Sequence, residues 1–207
     1  MKQWLDRVTG IVTMYKLVIV ALAGIGVVAL VLSLFGIGTY SPLALLASAA
    51  VSIVATCSTS VLISTILRVK PHLDSAMITA LLIFFIMAPT LDPLGLVGIA
   101  IAGVIANISK YLIAVRGRHV LNPAAVGVFV VALIAYTGFL GFGFAVWWLG
   151  SSTYLIPVVI GAFLVLYRTQ RLTIAAIFVA LTTVGTVLYF LTVGETVVSA
   201  LQYVFLS

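Results

Sequence analysis

Apolar runs long enough to cross a lipid bilayer fill most of this chain and leave little sequence for anything else. A helix spanning the ~30 Å hydrocarbon core needs about 20 apolar residues. Runs of that order occupy Leu17–Phe35, Leu43–Leu67, Leu94–Leu112 and Leu172–Leu191, with shorter ones at Ala76–Ala88, Ala124–Thr137 and Tyr154–Tyr167. A further run begins at Val197–Leu206. Of the 207 residues, 64% are hydrophobic and 7% charged, whereas a soluble domain carries roughly 25% charged residues. So few polar groups cannot build a water-facing shell. A soluble enzyme, a disordered tail, a nucleic-acid module and a disulfide scaffold are excluded as whole-chain readings. The expected fold class is all-α: a polytopic helical membrane protein of about seven spans with the start of an eighth.

The cations give an independent check on that count. Lys2, Arg7 and Lys16 precede the first run, and Arg68 and Lys70 follow the second. Lys110, Arg116 and Arg118 gather after the fourth, and Arg168 and Arg171 separate the sixth from the seventh. The remaining connections hold no Lys or Arg, only Asp92 and Glu195. If each run crosses once, all ten Lys and Arg fall on one side. The positive-inside rule makes that side cytoplasmic, so a multi-pass protein of the cell membrane with its N-terminus inside is expected. No Asp, Glu, Lys, Arg or His stands at the centre of a run, which argues against a carboxylate relay for protons or sodium.

In residues 1–16, Trp4, Leu5, Val8, Ile11, Val12 and Tyr15 recur near helical spacing, with Lys2, Asp6, Arg7 and Lys16 elsewhere. An interfacial amphipathic helix over 1–16, followed by a helical membrane domain over 17–207, is the expected organisation. Cys57 is the single cysteine and lies within an apolar run, so it reads as a packed membrane thiol.

In so apolar a chain the informative positions are the few polar residues not spent on topology. One cluster runs from Lys110 through Arg116-Gly117-Arg118-His119 to Asn122-Pro123-Ala124. Asn122 suits a helix N-cap and Pro123 its first turn. The unpaired N–H groups of that helix would then face the basic loop, a setting for an anion or for a heterocycle whose carbonyls accept hydrogen bonds. The same residues equally describe a capped helix beside a positive-inside loop. A second cluster, His72-Leu73-Asp74-Ser75-Ala76, opens the short third run, with Asp74 or Ser75 expected to cap it. Asn107 lies three residues before Lys110 on one helical face, as an interhelical hydrogen-bonding residue or part of a ligand site. Gly138–Phe144 reads as lipid-interface packing. Metal-ligand spacing, a nucleophile elbow and a P-loop are lacking, and two histidines at the membrane edge, His72 and His119, do not suit a haem held within helices. No catalytic side chain and no metal site is assigned.

The stretch Asp74–Val131 resembles the NqrB/RnfD family, the flavin-carrying membrane subunits of sodium-pumping NADH:quinone oxidoreductases and of Rnf electron-transport complexes. Three features carry the resemblance. The third run opens with Asp74-Ser75-Ala76 and closes near Ala88-Pro89. Lys110 stands where the family has Gly-Lys. Asn122-Pro123-Ala124 follows twelve residues on, in register with the family's Phe-Asn-Pro-Ala. The resemblance implies two inverted five-helix repeats, as in urea transporters, here with 17–140 as a first repeat and 154–207 as an incomplete second. It also implies a flavin, riboflavin or FMN, held non-covalently near the cytoplasmic side. The positions matching the family's flavin-side Asn-x-x-Asn-Pro are His119 and Asn122-Pro123, with His119 replacing an Asn. Lys110, Arg118 and Asp74 complete the expected cofactor-binding set, the two cations to stabilise an anionic reduced flavin or a flavin phosphate. Covalent FMN is not expected, because Thr137–Thr153 lacks the family's Ser-Gly-Ala-Thr attachment motif.

The function expected is that of an integral-membrane electron-transfer component. Its partners would be the lipid bilayer, a redox subunit or fused soluble reductase domain, and a quinone, with no nucleic acid. A transporter or channel for a small polar, flavin-like solute and a non-catalytic membrane anchor are the alternatives.

Overall fold

A computed structural model describes residues 13–112, 114–115, 118–119, 121–138, 142–143, 145–194 and 196–199. The regular structure of the described residues is helical apart from a short antiparallel ladder pairing Ala114 with His119 and Val115 with Arg118, and an isolated bridge between Met87 and Ala145. In chain order the helices are α1 (Met14–Leu34), α2 (Pro42–Ile66), α3 (Leu73–Ile86), α4 (Pro93–Leu112), α5 (Pro123–Tyr136), α6 (Leu155–Arg168) and α7 (Leu172–Thr192). Each falls on one of the apolar runs. α1, α2, α4 and α7 are long and apolar enough to cross a membrane. α3, α5 and α6 have 14 residues each, which is about 21 Å at 1.5 Å per residue and short of the ~30 Å hydrocarbon core. The expected interfacial helix lies mostly outside the described residues; Met14–Lys16 belong to α1, which Thr13 caps.

Local chemistry sets the helix starts. Ser41 caps α2 by accepting from Ala44 N at 3.2 Å, with Pro42 behind it. Asp92 Oδ2 accepts from Gly95 N at 2.9 Å at the start of α4, again followed by a proline. The cap of α3 differs from expectation. His72 occupies that position with no side-chain cap bond, and Asp74 falls inside the first turn. There its charge complements the helix dipole instead of closing the end. α1, α2 and α6 run out through a left-handed residue, at Gly36 (φ 74°), Arg68 (φ 54°) and Gln170 (φ 56°) respectively. The next residue returns in each case to a carbonyl five positions earlier, as in Val69 N to Ser64 O at 2.9 Å.

α3 is the hub. It packs against α1, α2, α4 and α5, and its buried residues divide between two clusters. Ile83 joins Ile99, Ala102 and Ala106 of α4 and Val128 and Val131 of α5. Leu81, Phe84 and Phe85 join Ile25 and Ala29 of α1 with Trp148, Leu149 and Tyr154. A short helix surrounded in this way need not meet lipid, but its end still has to satisfy its carbonyls. The segment before α6 does so: Val146 N and Trp147 N donate to Ile86 O at 2.9 and 3.2 Å, and Trp148 Nε1 donates to Phe84 O at 2.8 Å. Within the Gly138–Phe144 stretch, Phe142 departs from the lipid-interface expectation, being buried in the core over Gly98, while residues 139–141 and 144 lie outside the described residues.

Small residues let the backbones approach. A Cβ on Gly127 of α5 would stand 2.2 Å from the Ala102 carbonyl oxygen of α4. One on Gly103 would stand 2.5 Å from Thr56 Oγ1 of α2. This is the close packing expected where the hydrophobic effect cannot drive helices together. α7 contacts α6 and buries none of its residues.

Candidate functional site: a cleft at the basic end of the bundle

The chain direction brings the N-termini of α1, α3 and α5 to the same end as the C-termini of α2 and α4. Tyr15, Ser75 and Asn122 line one cleft there. Ser64 Oγ of α2 meets Tyr111 Oη of α4 at 3.1 Å, and Lys110 Nζ donates to Ser75 O at 3.3 Å. Lys16, Arg68, Lys70 and Lys110 share this end. Asp92 belongs to the opposite end, at the start of α4.

The cleft encloses about 330 Å³ and lies over the first turns of α3, between α1 and α5. Ligand sites typically occupy about 300–1,000 Å³. Asn122 caps α5 as the sequence predicts, its Oδ1 accepting from Ala124 N at 3.1 Å, while the residue as a whole stays exposed. Pro123 forms the first turn of α5 and lines the cleft beside it. Ser75 faces them from α3, and Ile78, Leu82 and Leu121 give the cleft an apolar wall. Thr79 Oγ1 donates to Ser75 O at 2.9 Å, so Lys110 and Thr79 converge on one carbonyl. The result is a surface with a polar rim, an apolar wall and the positive ends of two helices, α3 and α5. It suits a planar amphipathic ring with hydrogen-bonding groups on one edge.

The structure therefore brings Asn122 and Pro123 into one cleft and Lys110 onto its Ser75 edge. Asp74 is exposed and adjacent to Ser75 but does not line the cleft. Arg118 and His119 pair through their backbones in the ladder preceding α5; their side chains lie outside the described residues. Ser75, expected only as a helix cap, lines the cleft instead, and Tyr15 and Thr79 are lining residues that sequence reasoning did not select. No linear signal marks them, because α1, α3 and α5 meet only in the folded bundle.

The chain matches no protein-family model, no characterised protein and no solved structure.

Two further features stand out among the described residues. A cleft of about 300 Å³ between α1 and α6 is lined by residues such as Val20, Gly24, Pro157 and Leu164, with no polar side chain to orient a ligand. Along α2, Ser48, Ser52, Thr56, Ser60 and Ser64 are all buried on one face. Their four-residue spacing is a visible sequence signal of a helix stripe. Ser52 Oγ donates to Ala80 O at 2.8 Å, and Thr90 N donates to Ser48 Oγ at 2.9 Å. Asn107 belongs to this seam as the interhelical bond expected of it: its Nδ2 donates to Thr56 O at 2.8 Å and to Gly103 O at 3.2 Å. Among the described residues, no group of three His, Cys, Asp or Glu could hold a metal ion.

Proposed function

We propose that the chain is a multi-pass protein of the cytoplasmic membrane, related to the NqrB/RnfD family, that holds a flavin non-covalently in the Asn122 cleft and serves electron transfer. The observation that carries the reading is the cleft itself, where a capped helix start, the Ser75 edge and an apolar wall meet at the basic end. The positive-inside rule supports a cytoplasmic placement for that end, and with it an N-terminus inside. α1 and α6 lie side by side in opposite directions, with Gly161 against Ile25 and Tyr154 against Gly38. That is the relation expected of the first helices of two inverted repeats.

The cleft volume sits at the small end of the ligand range, enough for the ring system with its side chain projecting outward. A bound flavin supplies one- and two-electron transfer chemistry. The chain's own residues bind and orient. Asn122 offers its amide to the polar edge while its Oδ1 holds the first turn of α5. The N–H groups at the starts of α3 and α5, with Lys110 behind Ser75, favour an electron-rich ring or a phosphate. Ile78, Leu82 and Leu121 take the apolar edge and exclude water from it. Electrons would enter from a redox partner or reductase domain on the cytoplasmic side and leave to a second carrier or a quinone.

The test is an absorbance scan of detergent-purified full-length chain, as isolated and after incubation with riboflavin and FMN. The expected result is a flavin spectrum at close to one equivalent. A colourless preparation that takes up neither compound would overturn the proposal.

The hydroxyl seam of α2 favours a second reading, a path for a small polar solute. Its five side chains are covered by α3, α4 and their connection, so conduction would require those helices to part. Solute uptake into proteoliposomes with no redox donor present would select it.

A further inference from the structure

We propose that Tyr15 is the stacking residue of the Asn122 cleft, lying against the face of the planar ring whose edge Asn122 and Ser75 read; this rests on the flavin reading above. Tyr15 lines the cleft from the first turn of α1, facing residues of α3 and α5. It is the aromatic side chain of that lining. Its surface is 57% exposed, and among the described residues its ring makes no contact with another aromatic ring. The buried aromatics at the other end are fully engaged by comparison, with Trp148 contacting the rings of Tyr40, Phe84, Phe85 and Tyr154.

Its position is also fixed. Leu17 N donates to Thr13 O at 3.0 Å, and the Leu17 side chain is buried, so the turn that carries Tyr15 is anchored to the bundle. Edge groups give a planar heterocycle its orientation, but an edge alone leaves both ring faces in water or lipid. An exposed aromatic beside those groups supplies the missing face. Planar heterocycles stack on aromatic side chains strongly enough for the loss of one ring to be read directly in affinity.

The experiment compares the full-length wild-type chain with Tyr15→Leu and Tyr15→Phe in detergent, titrated with riboflavin and FMN. Helical circular dichroism confirms folding, which the exposed position of Tyr15 should preserve. Affinity and the emission yield of the bound flavin are the readouts. Tyrosine in contact with a flavin quenches its emission by electron donation; phenylalanine stacks but donates poorly, and leucine does neither. Tyr15→Leu should weaken binding roughly ten-fold and raise the emission. Tyr15→Phe should keep the affinity and raise the emission, a combination that a purely structural role would not produce. Flavin bound equally tightly and with unchanged emission in both variants overturns the stacking role while leaving the flavin reading intact. A wild-type chain that binds neither flavin removes both.

Discussion

The side-chain amide of Asn107 on α4 donates to the backbone carbonyl of Thr56 on α2 at 2.8 Å, and both residues are fully buried. This bond ties the middle of α2 to the last third of α4, two helices long enough to cross a membrane. Interhelical hydrogen bonds in a bilayer stabilise by about 1–2 kcal/mol at most, because the separated helices also find partners. Asn107→Ala should lower stability by about 1–2 kcal/mol, measured by denaturant unfolding in detergent. An unchanged midpoint would mean that the α2–α4 contact is held by its small residues alone.

Those small residues make a sharper prediction. Gly103→Ala places a methyl 2.5 Å from Thr56 Oγ1, whereas Gly127→Ala places one 2.2 Å from the Ala102 carbonyl oxygen. The first clash is with a side-chain atom and the second with backbone. Overpacking of either kind costs about 1–3 kcal/mol. Gly103→Ala should be rescued by Thr56→Ala, which deletes the offending oxygen; Gly127→Ala should be rescued by neither that change nor any other side-chain truncation on α4. A double-mutant cycle on thermal unfolding separates the two.

At the opposite end, Trp148→Phe keeps a ring among Tyr40, Phe84, Phe85 and Tyr154 but removes the Nε1 donor to Phe84 O. A buried carbonyl near the end of α3 then loses a partner, which costs about 1–3 kcal/mol. Thermal unfolding in detergent should show that loss. It should leave ligand binding at the basic end intact, because the change lies at the far end of α3.

Helix positions were legible in the sequence because length and apolarity are local quantities. Proline after a capping residue marked the start of α5 at Asn122-Pro123, and the structure agrees there. The start of α3 was misplaced because Asp74 and Ser75 are better caps than His72. The chain after Pro71 nonetheless turns helical at Leu73, so the acidic residue serves the dipole instead. Hydropathy could not reveal that Asn107 pairs with Thr56, fifty-one residues away, or that Tyr15 shares a cleft with Asn122. Those relations depend on which helices become neighbours. The burial of Phe142 was hidden for a related reason: a Gly-Phe stretch looks the same over lipid as over Gly98.

Gln170 closes α6 with φ 56°, a conformation that an L-residue adopts at a penalty of roughly 1–2 kcal/mol. Its side chain is exposed, so little packing is lost on removing it. Gln170→Gly should raise stability by about 1 kcal/mol, read as an upward shift in unfolding temperature. A decrease would show that the Gln170 side chain makes a compensating contact in the membrane.

Asn122 offers the cleanest separation of a structural from a ligand-binding role. Its Oδ1 accepts from Ala124 N, and loss of such a cap costs about 0.5–2 kcal/mol. Asn122→Ala would therefore lower stability whether or not a ligand binds, and alone decides nothing. Asn122→Asp keeps the accepting oxygen and adds a negative charge at a helix N-terminus, which the dipole favours. It also replaces the Nδ2 donor with a second acceptor and sets a carboxylate beside any anionic group in the cleft. If Asn122 only caps α5, the Asp variant should match or exceed wild-type stability with flavin binding unchanged. If Asn122 reads the ring edge, stability should hold while flavin affinity falls by at least ten-fold, about 1.4 kcal/mol. We expect the second outcome, read from flavin absorbance and thermal unfolding on the same preparations.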